Sequence, residues 1–235
     1  TATTEIYTLS LHDALPIFGG SIVLEGSTLN ARQFATQGSR EKMAAQIFTG
    51  TEHFRSGISK VTKGTPEPYK KVQSWLQVSY QNETYHKVSP KFTLGAYLEA
   101  YYSSRNFSNN YTATLMQAGE FTPTAHSKVT YNEAFRANQY AGVGTMPIYQ
   151  LSESFQLRGE FYGFIPIFPI KKDEYGQAYY GKAFTKFEYL GEISLVFQLS
   201  FGSISAYVNH YSSPSNDWNV GLTLGWQLFN SRFVE

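Results

Sequence analysis

Phe155 to Ile165 reads FQLRGEFYGFI. Taken in steps of two, Phe155, Leu157, Gly159, Phe161, Gly163 and Ile165 fall on one side, and Gln156, Arg158, Glu160, Tyr162 and Phe164 on the other. Successive side chains of an extended strand point to opposite faces, whereas a helix would scatter the same residues around its axis. The reading is therefore a strand with its charges all on one face. FTLGAYLEAY repeats the pattern, with Phe92, Leu94, Ala96, Leu98 and Ala100 opposite Thr93, Gly95, Tyr97, Glu99 and Tyr101. So does VGLTLGWQL, where Val220, Leu222, Leu224, Trp226 and Leu228 oppose Gly221, Thr223, Gly225 and Gln227. Glu188 and Glu192 likewise lie on a strand face opposite large apolar residues.

Working outward, the alternation predicts strands at 19–26, 39–50, 72–85, 91–103, 137–149, 154–168, 185–200, 203–211 and 218–229, eight or nine in all. Several exceed the roughly five or six residues usual in globular sheets and match the length of a tilted strand crossing a bilayer. Connections differ in size: Ser200 to Ser203 (SFGS) is tight, Tyr211 to Asp217 is longer and polar, and Ser104 to Phe135 is longer still. The expected fold is all-β, an antiparallel transmembrane β-barrel present as a partial barrel, about half of a closed one. Aromatics near strand ends, Tyr101, Tyr102, Tyr211 and Trp218, fit the girdles of such a barrel. A soluble sandwich or lipocalin-like barrel alternates too, but with polar residues outside and an apolar interior, and alternation by itself does not say which face is wet.

Composition points to an interface. Aromatic residues make up 17% of the chain and charged residues 16%, against roughly 25% charged in soluble domains. Cysteine is absent, so no disulfide, thiolate nucleophile or zinc-thiolate site is expected. A net charge of +1 provides no basic stripe for nucleic acid. The longest strongly apolar stretch, FYGFIPIFPI (Phe161 to Ile170), carries two prolines and falls far short of the roughly 20 residues of a spanning helix. A membrane role therefore calls for a closed β-structure, the other way to satisfy a backbone in lipid. Residues 1–17, TATTEIYTLSLHDALPI, lack the basic start and small-residue cleavage site of a signal peptide and resemble the in-frame translation of a short-read sequencing adapter. They are set aside from fold reasoning, His12 and Asp13 with them, and 18–235 is treated as one domain.

Several stretches carry a resemblance. LNARQFATQGSR (Leu29 to Arg40) resembles a motif of the superfamily of barrel-assembly proteins, two-partner secretion transporters and surface-antigen barrels, through Leu29, Asn30, Arg32, Phe34 and Gly38. Ala35 departs from the usual proline. Phe135 to Asn138 (FRAN) lies where that superfamily carries an Arg-Gly-aromatic signature on a loop folded back into the lumen; Arg136 matches, and Ala137 and Asn138 do not. The closing stretch, Leu199 to Phe229, is similar to the last two strands of these barrels, with Gly221, Leu224, Trp226 and Phe229 in the places of an insertion signal read by the assembly machinery. NNYTATL, TPTAHSK, YGKAF and FNSRFVE look like the barrel of patatin-like phospholipases of Gram-negative bacteria. That resemblance implies a C-terminal barrel in the cell outer membrane, anchoring an N-terminal domain that hydrolyses lipid esters with a Ser-Asp dyad. Outer-membrane lipid and the assembly machinery are then the expected partners, and a homodimer stays open.

The chemistry of that hydrolase is not expected within 18–235. A nucleophile elbow needs G-x-S-x-G, and the nearest fragments, Gly19-Gly20-Ser21 and Gly202-Ser203, lack the second glycine at the right spacing. No Asp-Gly pair occurs, and Asp173 and Asp217 sit in polar, loop-like segments. His53, His86, His126 and His210 are isolated, without metal-ligand spacing, so neither metal nor cofactor is expected. Arg158 and Glu160, two apart on one face, read as lumen lining in an ion-pair network, with Arg136 as a further lumenal or structural residue. Two other readings remain: the barrel of an assembly or two-partner secretion component, and a soluble lipid-binding β-barrel.

Overall fold

The computed structural model describes residues 2–5, 8–9, 17–54, 69–108, 110–213 and 218–226. Nine long strands form one antiparallel sheet in which each pairs with its neighbours in sequence. They are β1 (Ile17–Ser27), β2 (Gly38–Phe54), β3 (Tyr69–Ser89), β4 (Phe92–Ser103), β5 (Gln139–Gln150), β6 (Phe155–Pro166), β7 (Glu188–Leu199), β8 (Gly202–Tyr211) and β9 (Trp218–Trp226). All nine strands read from the alternation are there, with ends moved by a few residues. Residues 2–5 and 8–9, set aside on sequence grounds, lie as short strands along β1. Among the described residues β9 pairs with β8 alone, so the sheet is open along that edge. No helix among them is long and apolar enough to cross a membrane.

Connections alternate in length from one end of the sheet to the other. At one end lie residues 28–37, 90–91, 151–154 and 200–201; at the opposite end lie 104–138, 167–187 and the connection from Tyr211 to Trp218. The long 104–138 insert is not featureless. It holds a short helix α1 (Tyr111–Gln117), capped by Asn110, whose side chain accepts from Ala113 N at 2.7 Å, and a one-turn helix over Glu133–Phe135, capped by Asn132.

The sheet curves around this insert. Phe121, at its middle, lies 6.2 Å from the ring of Tyr97 on β4, 6.0 Å from Tyr140 on β5, and 6.3 and 5.6 Å from Tyr162 and Phe164 on β6. One side chain reaches inward-facing rings on three neighbouring strands only if the sheet is concave toward it. Tyr85 of β3, Leu190 of β7 and Tyr211 of β8 join the same buried cluster.

The two faces are filled in opposite senses. On the concave side Arg158 is 2% exposed, and Glu160, Glu188 and Glu192 are buried. On the convex side Leu94 is 44%, Leu157 42% and Leu224 78% exposed. The register carries this across strands: Leu157 lies opposite Tyr149 and Leu195, and Ile204 opposite Phe197 and Leu224. The four aromatics placed at strand ends divide. Tyr102 and Trp218 face outward, but Tyr101 turns in to stack on Tyr140 at 5.4 Å and Tyr211 packs edge-on against Phe135. Their parity in the strand decides this, since both share the inner face with Tyr97 and Asn209.

Replacing Phe121 with Ala removes the ring that the wall closes around. Large-to-small changes at such a site cost roughly 3–5 kcal/mol, and a fall of that size in unfolding free energy is the expected result of urea titration in detergent.

Candidate functional site

The inner faces of β6, β7 and β8 carry a continuous polar row. Because residues two apart share a face, Gln156, Arg158, Glu160 and Tyr162 line up on β6, Glu188, Glu192 and Ser194 on β7, and Ser203, Ser205 and Asn209 on β8. Register puts Glu160 directly opposite Glu192, and Glu192 opposite Asn209. Two carboxylates facing each other across adjacent strands repel, so each needs its own partner.

Glu160 takes Arg158, whose Nε lies 3.1 Å from its Oε1, and the Tyr162 hydroxyl, which donates to Oε2 at 2.9 Å. Arg158 makes further contacts, one along its own strand and two to groups that no adjacent strand supplies. Its Nη1 donates to the Ala35 carbonyl at 2.8 Å and to Gln156 Oε1 at 3.2 Å, and its Nη2 to the Tyr85 hydroxyl at 3.4 Å. The rings of Phe34 and Tyr85 each lie 5.6 Å from the guanidinium. Residues 28–37 are thereby drawn into the concavity. Gln156 and Gln198 donate to the Phe34 carbonyl, each at 3.3 Å, and Ser203 donates to Gln33 Oε1 at 2.9 Å.

This loop holds its shape by local means. The Asn30 side chain accepts from Thr36 N at 2.9 Å and Gln37 N at 3.1 Å. Gly38 has φ +94°, and a Cβ there would run into the Thr28 carbonyl, so glycine is required at the exit of the turn. Of the motif positions Leu29, Asn30, Arg32, Phe34 and Gly38, the structure accounts for Asn30 and Gly38 by this turn. It accounts for Phe34 by its carbonyl and its ring, and for Leu29 by packing against the buried cluster.

Glu192 takes His126 from the long insert. Nδ1 is 2.5 Å from Glu192 Oε1, and Nε2 is 3.3 Å from the Ser205 hydroxyl. The imidazole stacks on Tyr207 at 3.6 Å, and Asn209 reaches Glu192 Oε2 at 3.5 Å. In the neutral tautomer that donates from Nδ1 to the carboxylate, Nε2 is the acceptor for Ser205. Hydroxyl, imidazole and carboxylate thus stand in the order that acyl-transfer enzymes use. Two features make this a clamp instead of a nucleophile site. Ser205 is buried beneath the histidine. It also lies in a strand paired on both sides, to Val196 and Thr223, so the backbone N–H groups that an oxyanion hole needs are committed to the ladder.

His126, isolated in the sequence, is brought by the fold to residues 66 and 79 positions away. Arg136 works within the insert. It pairs with Glu120 at 2.6 Å, lies over the Tyr131 ring, and donates to the carbonyls of Leu115 and Met116 at the end of α1. At the far side of the insert Arg105 sits 4.2 Å over the face of Trp75, where burial lowers its pKa against the opposing pull of Glu52 and Tyr101. Asp173 is a turn residue, accepting from Tyr175 N and Gln177 N. In β9, Gly221 gives room for the Tyr207 ring and Leu224 faces outward. Trp226 ends the strand, opposite Gly202. Phe229 and Asp217 lie outside the described residues. Among the described residues no cluster of His, Asp or Glu could hold a metal ion.

No protein-family model matches the chain, and neither a curated protein nor a solved structure is significantly similar to it.

Two variants test the clamps. Arg158→Met leaves Glu160 buried without its cation and opposite Glu192, and breaking such a pair costs roughly 3–5 kcal/mol. Adding Glu160→Gln is expected to recover a large part of that loss in a double-mutant cycle of unfolding free energies. His126→Ala is expected to speed tryptic cleavage after the exposed Lys128 while leaving cleavage after Lys91 unchanged, as read by mass spectrometry of timed digests.

Proposed function

We propose that the chain is the wall of an outer-membrane β-barrel, belonging to a patatin-like phospholipase of a Gram-negative bacterium, with lipid hydrolysis carried out by a separate domain. One observation carries the membrane part of this reading: the sheet turns most of its leucines, isoleucines and valines outward, Ile148, Leu190 and Val196 being the buried exceptions, and encloses Arg158, Glu160, Glu188 and Glu192. Water rewards the reverse arrangement and hydrocarbon rewards this one. A soluble lipid-binding barrel would keep its apolar set inside. The alternation of short and long connections supports the same reading, because outer-membrane barrels pair short periplasmic turns with long outer loops.

The patatin assignment rests on the resemblance of NNYTATL, TPTAHSK, YGKAF and FNSRFVE, within a strand framework shared with assembly and secretion barrels. In this reading the chain anchors or assists translocation. The assembly machinery reads β9 through Gly221, Leu224 and Trp226, with Phe229 following in sequence, since an unpaired edge is what a templating strand can join. An assembly or secretion barrel is the second reading, favoured by the long insert that folds Phe121 and His126 back into the concavity.

Membrane residence is tested by single arginines on the outer face. Leu157→Arg and Leu195→Arg are each expected to cost roughly 2–4 kcal/mol of folding stability in lipid vesicles and to reduce flotation with them. Wild-type protein that stays monodisperse in detergent-free buffer, with both variants neutral, would overturn the reading. The coding sequence upstream of Phe18 in the source genome separates the two parents. G-x-S-x-G followed by Asp-Gly supports the hydrolase, and repeated small α/β modules support the secretion component.

A further inference from the structure

The three long connections meet over one end of the sheet without filling the space between them. They leave a cavity of about 220 Å³, room for several waters. Tyr111, Glu133 and Arg136 of the 104–138 insert line one part of it, Pro169 and Lys186 of the 167–187 connection another, and Ser213 of the last connection a third. These walls are fastened to one another. Asn132 donates to the Ser213 carbonyl at 2.8 Å, Lys186 to the Ala134 carbonyl at 3.5 Å, and the Tyr111 backbone N–H to the Gly176 carbonyl at 3.0 Å. Beside Tyr111, Leu115 and Ala118 of the insert pack with Ile170 in a small buried cluster. Contacts among all three connections thus set the shape of the cavity before any ligand arrives.

What the lining leaves free selects the ligand. Both cations are already answered, Arg136 by Glu120 at 2.6 Å and Lys186 by Glu188 at 3.2 Å. The Glu133 carboxylate forms no ion pair among the described residues. A free anion would therefore meet Glu133, and a free cation would compete with Arg136 and Lys186 for carboxylates they already hold. An apolar molecule would strip these groups of water and give nothing back. The uncommitted groups are mixed. Lys186 has a third N–H beyond the two in use, Arg136 keeps a buried Nε without a partner, and Tyr111 and Ser213 carry hydroxyls able both to donate and to accept. Burial, and after it Glu133, raises the pKa of the Tyr111 phenol, so this hydroxyl keeps its proton at neutral pH. Pro166, Pro169 and Ile170 add apolar contact beside these groups. Donors, acceptors and apolar patches in one small space suit a molecule that carries hydroxyls and C–H groups in turn around a ring. The volume lies below the roughly 300–1,000 Å³ of drug-sized sites, so one ring fits and a chain of rings does not.

We propose that this cavity binds a single uncharged sugar unit, its hydroxyls donating to Glu133 and accepting from Lys186, with Tyr111 and Ser213 completing the set. The site is made by the connections alone and does not depend on what surrounds the strands, so it goes beyond the membrane reading above and stands apart from it. A free monosaccharide and one sugar of a longer glycan present the same ring chemistry to these groups.

Saturation-transfer difference NMR on the full chain, held in a detergent without a sugar head group, tests the site, with methyl glucoside, methyl galactoside and methyl mannoside as probes. At least one of them is expected to receive saturation that levels off as its concentration rises. Glu133 is exposed, so Glu133→Ala leaves the fold in place. It is expected to weaken the binding about tenfold or more, the loss of a hydrogen bond to a charged group. Ser213→Phe is expected to abolish binding by filling the cavity, with unchanged tryptic cleavage after Lys128 as the check that the insert is still seated. Glu174→Ala, an exposed carboxylate of the 167–187 connection away from the lining, is expected to leave binding unchanged. A soluble polysaccharide built from the bound sugar, compared with its methyl glycoside in the same assay, separates the sources. Tighter binding supports one sugar of a longer glycan, equal binding supports a free monosaccharide, and both support the cavity. Absence of saturable transfer from every probe, binding identical in wild type and Glu133→Ala, or displacement of the sugar by equimolar inorganic phosphate would overturn the proposal.

Discussion

A guanidinium removed from water must be answered on every side, and Arg158 is where this structure meets that demand. Its charge is balanced by Glu160 on its own strand, but its remaining donors need oxygens that the neighbouring strand faces do not supply. The Ala35 carbonyl and the Tyr85 hydroxyl supply them. Satisfying one side chain therefore fixes the position of residues 28–37 inside the concavity and ties β6 to β3 across it. An unpaired Arg158 would be costly enough to reopen the whole inner face.

The second demand comes from Glu192, which register places opposite Glu160. The wall cannot hold two adjacent carboxylates without two separate partners, and the second arrives on the long insert as His126. Loop and wall are thus mutually dependent. The polar row would be an uncompensated stripe without the insert, and the insert would lack its anchor without the row. Phe121 adds the apolar half of the same attachment, filling the space left between inward-facing aromatic rings.

With the polar row, the insert and a cluster of aromatic rings filling the concave side, most of the strands' aliphatic residues are left to the convex side, where they form a broad surface. The glycines that interrupt it at 163 and 191 turn a smooth face into one with a trough.

The period-two pattern of segments such as FQLRGEFYGFI by itself marked the strands, eight or nine of them, because one-sided burial leaves a signature at every second residue; their order in the sheet came from the tertiary structure. The pattern also determined that Arg158 and Glu160 lie opposite Leu157 and Phe161, and that Glu188 and Glu192 lie opposite Tyr189, Ile193 and Leu195. Which face was enclosed was beyond it, since alternation is symmetric between inside and outside. Tertiary structure alone decided that, and it turned Tyr101 and Tyr211 inward where position near a strand end had pointed to a girdle. His126 shows the limit most plainly. Nothing in TPTAHSK marks a histidine that meets Glu192 and Ser205, because those contacts depend on how a long insert folds back over a curved sheet, and local spacing carries no information about that path.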